Sequence, residues 1–466
     1  MICSVCRHCG LCEGDGHDSR TNSTLAFGSG FMFRSPQGDH SASANEIGIA
    51  IDIGTTTICA AAYRLHNAAR LFERGEPNDQ HKFGSDVIAR IAFSATPEGH
   101  KALHTTLINQ LERMISHVLR ALSAQCLATR QPEPALRRLV IAGNTTMQSL
   151  CMGLSVSGLA SFPFEPPSLF GCTVDAESVF GTQSAVPASC ELYVPPIAGA
   201  FVGGDAVCAM TACGFFSGST STPLLLADVG TNCEIAAFNP VAHTLVCTST
   251  AAGPAFEGQG ISCGMGAREG AIASISISPG GQISSQVIGG RMARGLCGTG
   301  LLSAVAALYI SGRLSADGAF TNGDSRVQLA PTVWLSQNDV RAFQLAKAAV
   351  RTGLDAVQEH SAIKDGTLFL AGGFGTSLST ADARAVGMIP PDSAIKTVGA
   401  GNAALCGAAL LLIEPHERQK CQAAIKTANV IDLAKAPTFG QQFIKNLPFP
   451  KNTAQLQQTK EHNPPE

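Results

Sequence analysis

Charge is what this chain has least of. Asp, Glu, Lys and Arg make up only 14% of its 466 residues, against a usual ~25%, so the surface carries few charges. Those present nearly cancel, with 32 basic and 35 acidic residues, a net charge of −3 and a pI near 6.5. Without a basic face to hold phosphates, no nucleic-acid partner is expected. Long apolar runs are missing too. Apolar charge-free runs such as residues 401–413 fall short of the ~18 apolar residues of a membrane span, and no basic-then-apolar segment opens the chain. The expectation is a cytoplasmic protein with no membrane contact. A secreted disulfide framework is also unexpected, because 17 cysteines is an odd number in a long chain without an export signal. They read as reduced thiols. What the chain has in quantity is apolar residues, at 45%, and glycine, at 48 residues. That is core enough for about three units at ~150 residues each, joined by many tight turns.

Four cysteines are grouped. Cys3, Cys6, Cys9 and Cys12 repeat with two residues between neighbours, in a segment with almost nothing apolar to fold around. Thiolates three residues apart can wrap one iron-sulfur cubane, so the spacing fits a [4Fe-4S] cluster. Four thiolates also suit a tetrahedral structural zinc. Residues 13–46, rich in Gly, Ser, Asp and Asn, read as a flexible linker. The tail from 451 to 466 is polar, Gln-rich and expected to be disordered.

From Glu46 strands and helices alternate, the pattern of an α/β fold. A short apolar strand at 47–51 runs into Asp52-Ile53-Gly54-Thr55-Thr56-Thr57 and a second strand at 58–63. The unit returns further on, as a strand at 224–227, then Asp228-Val229-Gly230-Thr231-Asn232, and a strand at 235–238. This is a duplicated lobe. Residues 102–126 carry Leu103, Leu107, Leu111, Ile115 and Leu119 at a spacing of four, which predicts an amphipathic helix. Helices are also expected over 300–309 and 339–358, and Pro-rich stretches at 163–167 and 195–196 mark loops or an insertion in the first lobe.

Each Asp-x-Gly-Thr unit has a chemical rationale. An Asp ending an apolar strand can hold hydrated Mg²⁺ or orient a water, glycine lets backbone N–H groups approach a phosphate, and threonine adds a hydroxyl. Alone, either unit is also an ordinary hairpin turn. A third glycine turn ends the strand before Gly372-Gly373-Phe374-Gly375, where an adenine ring could lie against bare backbone.

This order of phosphate-1, phosphate-2 and adenosine motifs resembles the ASKHA superfamily of acetate and sugar kinases, Hsp70 and actin. More closely, residues 46–450 resemble the reductive activators of corrinoid-dependent enzymes. The resemblance rests on residues 49–57, 84–91 (GSDVIARI), 142–147 (AGNTTM), 228–234 (DVGTNCE), 252–258 (AGPAFEG), 295–300 (GLCGTG) and 372–375 (GGFG). It implies a two-lobed, ribonuclease-H-like duplicated α/β core, with lobe I over 47–221 and lobe II over 222–450, a C-terminal segment returning to lobe I, and a cysteine-rich arm over 1–12. It implies ATP-dependent reduction of Co(II) to Co(I) in a corrinoid protein or corrinoid-dependent methyltransferase, supplied by a low-potential electron donor. By the same resemblance Asp52 and Asp228 act at Mg²⁺ and water, Glu234 and Glu257 are candidates to orient the attacking water, and Gly54, Thr55, Thr56, Gly230, Thr231 and Asn232 take the phosphates. Gly372, Gly373, Phe374 and Gly375 take the adenosine.

The cysteine run departs from the bacterial ferredoxin pattern, since its last spacing is two residues and no Pro follows. The plant-type [2Fe-2S] domain of many such activators is not visible in this sequence. Two other readings use the same motifs: a phosphotransferase of the kinase type, and a nucleotide-gated binding module with a structural zinc arm. The sparse surface charge is compatible with a homodimer.

Overall fold

The computed structural model describes residues 36–451, except 291, 373–377 and 391–393, together with the backbone of 26–27 and 31–32. Two six-stranded sheets organise it. The first holds β1 (Glu46–Ile53), β2 (Thr57–Arg64), β3 (Arg70–Pro77), β4 (Ala135–Gly143), β5 (Cys172–Asp175) and β6 (Glu191–Val194), side by side as β3-β2-β1-β4-β6-β5. The second holds β7 (Leu224–Val229), β8 (Asn232–Asn239), β9 (Thr244–Ala251), β10 (Gly366–Ala371), β11 (Ile395–Gly401) and β12 (Asn429–Val430), ordered β11-β10-β7-β8-β9-β12. Each sheet starts as an antiparallel meander of three strands. Two later strands then add in parallel beside the first. The two sheets therefore share one five-stranded topology, and the duplication extends beyond the hairpins, while the sixth strands, β5 and β12, add at opposite edges.

Side-chain alternation sets what each sheet face meets. In β1, Ile47, Ile49, Ile51 and Ile53 point outward into a core shared with α1 (Pro97–Thr129). Fully burying each contributes about 1.5–3 kcal/mol. The intervening Gly48 and Ala50 point the other way, toward the middle of the molecule, where a Cβ on Gly48 would stand 2.9 Å from Leu412. In β7, Leu225, Ala227 and Val229 face the second lobe's outer core, and Leu224 and Leu226 face the middle.

Helix α1 starts at Pro97, capped by the Thr96 side chain, five residues before the leucine periodicity becomes visible. Leu103, Leu107, Leu111 and Ile115 are fully buried, whereas Leu119 is only half-buried because the stripe shifts to Val118. On lobe II the outer layer is α3 (Gly298–Ile310) and α4 (Gln337–Ser361), the latter opened by a reciprocal Ser336/Asp339 capping box.

The middle layer is made by α2 (Gly204–Ala212) and α5 (Ala403–Ile413), which lie against each other between the sheets. The charge-free run at 401–413 is this second helix, with every residue from Ala403 to Ile413 buried. A helix apolar all round belongs inside. The helices approach so closely that a Cβ on Gly407 would stand 1.7 Å from the carbonyl oxygen of Cys208.

Beyond α5 the chain touches lobe I, where Arg418 pairs with Glu191 and lies over the Tyr193 ring, and Gln422 donates to the Gly171 carbonyl. The end of the expected linker is also attached. The Asp39 N–H donates to Leu65 O at 2.7 Å, its carboxylate meets Arg138 at 2.6 Å, and Gln37 N–H donates to Glu414. The backbone of Ala26–Phe27 pairs with Phe31–Met32 beside β11. Gln37 and Asp39, within the expected linker 13–46, thus find partners distant in sequence. The arm with Cys3, Cys6, Cys9 and Cys12, and the tail from 452, lie outside the described residues.

Candidate functional site

The two hairpins differ by one residue. In the first, pairing ends at Ile53 and Ile58 and the Gly54 N–H closes the turn on Thr57 O at 3.0 Å. In the second, pairing ends at Val229 and Cys233 and the Gly230 N–H closes on Asn232 O at 2.9 Å. A Cβ on Gly54 would stand 2.5 Å from the Thr57 oxygen, so this tight turn admits no larger residue. The contraction changes the partner of each aspartate. Asp52 stands opposite Cys59, but Asp228 stands opposite Glu234.

The first hairpin is held from behind. Arg90, fully buried, donates to the carbonyls of Thr55 at 2.6 Å and Gly84 at 3.1 Å, and to Gln80. Burial lowers its pKa to about 10, so it remains a cation at neutral pH. Asn78 donates to Gly54 O at 2.9 Å. Asn144 combines two roles, since its Oδ1 accepts from Met147 N–H as a helix cap and its Nδ2 donates to Thr55 Oγ1 at 3.1 Å. These contacts fix the Gly54 and Thr55 carbonyls and the Thr55 hydroxyl.

Glu257 joins the hairpins. It ends the short helical turn Pro254–Glu257, entered through Gly253 at φ +79°, a left-handed conformation suited to glycine. Its Oε2 accepts from Thr231 Oγ1 at 2.8 Å and from Thr56 Oγ1 at 3.3 Å. One carboxylate thus spans the gap between the lobes.

Four more acids form the cleft floor. Asp52, Asp205, Asp228 and Glu234 are each half-buried. Desolvation and mutual repulsion disfavour their charged forms. Asp52 is raised to about 8, by burial first and then by Asp205 and Asp228, partly offset by a hydrogen bond from the Asn402 side chain. Asp228 is raised to about 7 by burial and Asp205. Asp205 and Glu234 are raised too, with burial as the leading cause, and Ser249 Oγ donates to Glu234 at 3.3 Å. A site built to hold this much negative charge is complementary to a cation and poorly satisfied without one. Among the described residues these oxygens do not gather closely enough for a direct three-carboxylate cage. The set suits a hydrated magnesium ion, which retains much of its water.

Asp205 and Asn402 were not identified from the sequence. Asp205 lies in the first turn of α2 and Asn402 caps α5, accepting from Leu405 N–H at 2.8 Å. Each reaches the other lobe's aspartate, Asp205 toward Asp228 and Asn402 toward Asp52. Their only local signals are Gly203-Gly204-Asp205 and Gly401-Asn402, each heading an apolar helix. The glycines permit the approach, since a Cβ on Gly204 would stand 1.8 Å from Gln148 Oε1.

Gly372 follows β10 at φ +102°, where a Cβ would stand 2.3 Å from Val229 O, and its N–H donates to Gly401 O at 3.0 Å. The third turn therefore abuts the second hairpin. Gly373, Phe374 and Gly375 lie outside the described residues. The thirteen described cysteines are free, and no three of them gather within ligating distance. Burial pushes the thiols of Cys151, Cys190, Cys247 and Cys421 up to about 12, which keeps them protonated and poor metal ligands.

Duplicated lobes with hairpins facing across an acid-floored cleft define an ASKHA-type protein. Residues 222–461 match the family model of the C-terminal domain of RACo, the ASKHA domain, and residues 47–217 match that of the RACo middle region. The chain belongs to the RACo family. It is 30% identical over 436 residues to the corrinoid activation enzyme RamQ of Eubacterium limosum, covering 87% of this chain and 70% of the relative. It is 27% identical over 441 residues to the [Co(II) methylated amine-specific corrinoid protein] reductase of Methanosarcina barkeri, covering 86% and 77%. Among solved structures it is similar to a reductive activator for corrinoid, iron-sulfur protein, with a TM-score of 0.75, 27% identity, and coverage of 88% of this chain and 67% of that one. No described helix is long and apolar enough to cross a membrane.

Proposed function

We propose that this chain is an ATP-hydrolysing reductive activator that returns a corrinoid protein from Co(II) to Co(I) by one electron. The observation that carries the nucleotide part is the cleft itself, in which hydroxyl- and N–H-bearing hairpins face each other over Asp52, Asp205 and Asp228. The corrinoid part rests on the relatives, which are named as a corrinoid activation enzyme and a Co(II) corrinoid protein reductase.

Thr55, Thr56 and the Gly54 turn bind phosphate from lobe I, with Gly230, Thr231 and Asn232 opposite. Gly372, with Gly373, Phe374 and Gly375, takes the adenosine. Asp52 and Asp228 hold the water shell of Mg²⁺, which when bound supplies positive charge to the phosphate oxygens. Asp205 and Glu234 lie beside Asp228 to orient the attacking water, and Glu257 positions the threonines. The thiolates of Cys3, Cys6, Cys9 and Cys12 bind one iron-sulfur cluster, which when present carries the electron from a low-potential donor. Nucleotide can favour a docked arrangement only by binding two lobe arrangements differently, and a cleft whose two halves meet the same phosphates has the means to do so.

The test is anaerobic. Purified protein is mixed with a cognate corrinoid protein and a low-potential reductant, and Co(I) absorbance is followed with and without Mg·ATP, alongside an electron paramagnetic resonance spectrum. ATP-dependent Co(I) formation with an iron-sulfur signal is expected. A colourless protein carrying one zinc would remove the electron path, and ATP turnover that requires a small hydroxyl acceptor would point to a kinase.

A further inference from the structure

We infer that Glu257 occupies the seat of the outermost phosphate and thereby sets the protein's discrimination between nucleoside triphosphate and diphosphate. This rests on the nucleotide reading of the cleft.

Gly372, where the adenosine motif begins, packs against Val229 at the foot of the second hairpin. A nucleotide anchored there meets lobe II first, and only its last phosphate extends to lobe I. The hydroxyl on the lobe I side is Thr56. Thr56 and Thr231 already donate to one oxygen, Glu257 Oε2, while Oε1 lies over the second turn, 3.4 Å from where a Cβ on Gly230 would be. The carboxylate thus makes the contacts a phosphate oxygen would make. Two anions cannot share those donors, because repulsion in a partly desolvated cleft costs more than the shared hydrogen bonds return.

A diphosphate leaves Glu257 in place. A triphosphate must displace it from Thr56 at least. The backbone of the segment is held on both flanks, Gly253 N–H donating to Thr231 O at 2.8 Å and Gly258 N–H to Ala255 O at 3.0 Å. Its far side is anchored, since Phe256 O lies against Gly298 so closely that a Cβ there would stand 2.1 Å away. Displacement therefore rotates the Glu257 side chain out of the seat while the core stays packed.

Calorimetric titration of the full chain with Mg·ADP and with the magnesium complex of a non-hydrolysable ATP analogue tests this. Glu257→Gln keeps the shape and the accepting oxygen but removes the charge, and is expected to raise the ratio of analogue affinity to ADP affinity about 10-fold. Glu257→Asp keeps the charge and should leave the ratio within about 3-fold of wild type. An unchanged ratio in Glu257→Gln, or equal loss of both affinities, would show an ordinary structural anchor and overturn the inference. Wild-type protein that binds neither nucleotide would overturn the nucleotide reading itself.

Discussion

Asp228 stands directly opposite Glu234 across the antiparallel pair β7 and β8, whereas the matching ladder position for Asp52 is Cys59. The two phosphate hairpins are therefore related but unequal, the second pairing two acids where the first pairs an acid with a thiol.

Asp52→Asn and Asp228→Asn should each lower ATP turnover at least ~100-fold, because both remove charge where magnesium and phosphate must be balanced. Turnover measured with saturating Mg·ATP checks this, and wild-type rates in both variants would dismiss the paired-hairpin assignment.

The same residues make a stability prediction. Asp52 and Asp228 are raised from 3.8 to about 8 and about 7, so between pH ~4 and ~8 the folded state binds more protons than the unfolded one. Stability without nucleotide then falls as pH rises through this window. Glu73 and Asp382, also raised by burial, add to the slope with the same sign. Asp52→Asn should raise the melting temperature by a few degrees at pH 8, leave it unchanged near pH 4, and abolish stabilisation by Mg·ATP. Thermal melts across pH decide it.

Arg90→Lys should weaken both fold and site. A lysine cannot serve Thr55 O, Gly84 O and Gln80 together, and lost bonds to a buried charged donor cost about 1.5–3 kcal/mol each. Urea unfolding should show a loss of this size, with weaker Mg·ATP binding. Undiminished nucleotide affinity would mean that the Thr55 turn keeps its shape unaided.

Deleting residues 1–12 should remove iron and colour and leave nucleotide binding intact. Residues 13–25 tether this arm to the rest of the chain. Lengthening this tether moderately should be tolerated, and removing most of it should slow Co(I) formation without changing basal ATP hydrolysis. Co(I) absorbance across a tether series measures the effect, and rates indifferent to arm deletion would show that the arm is not the electron carrier.

Strands, hairpins and the duplication were legible in the sequence because their signals are local. Alternating Ile47, Ile49, Ile51 and Ile53, the Asp-x-Gly-Thr turns and the apolar run before Ile413 each declare themselves within a few residues. Tertiary structure alone decided what those pieces share. Arg90 reaches Thr55, Glu257 reaches Thr56 across 201 residues, and Asp205 and Asn402 cross between lobes. In sequence an Asp after two glycines, or an Asn before a helix, is a cap like any other. They become floor and tie of the cleft only because α2 and α5 close together where Gly407 has no side chain to hold them apart, a long-range packing event that no local pattern encodes.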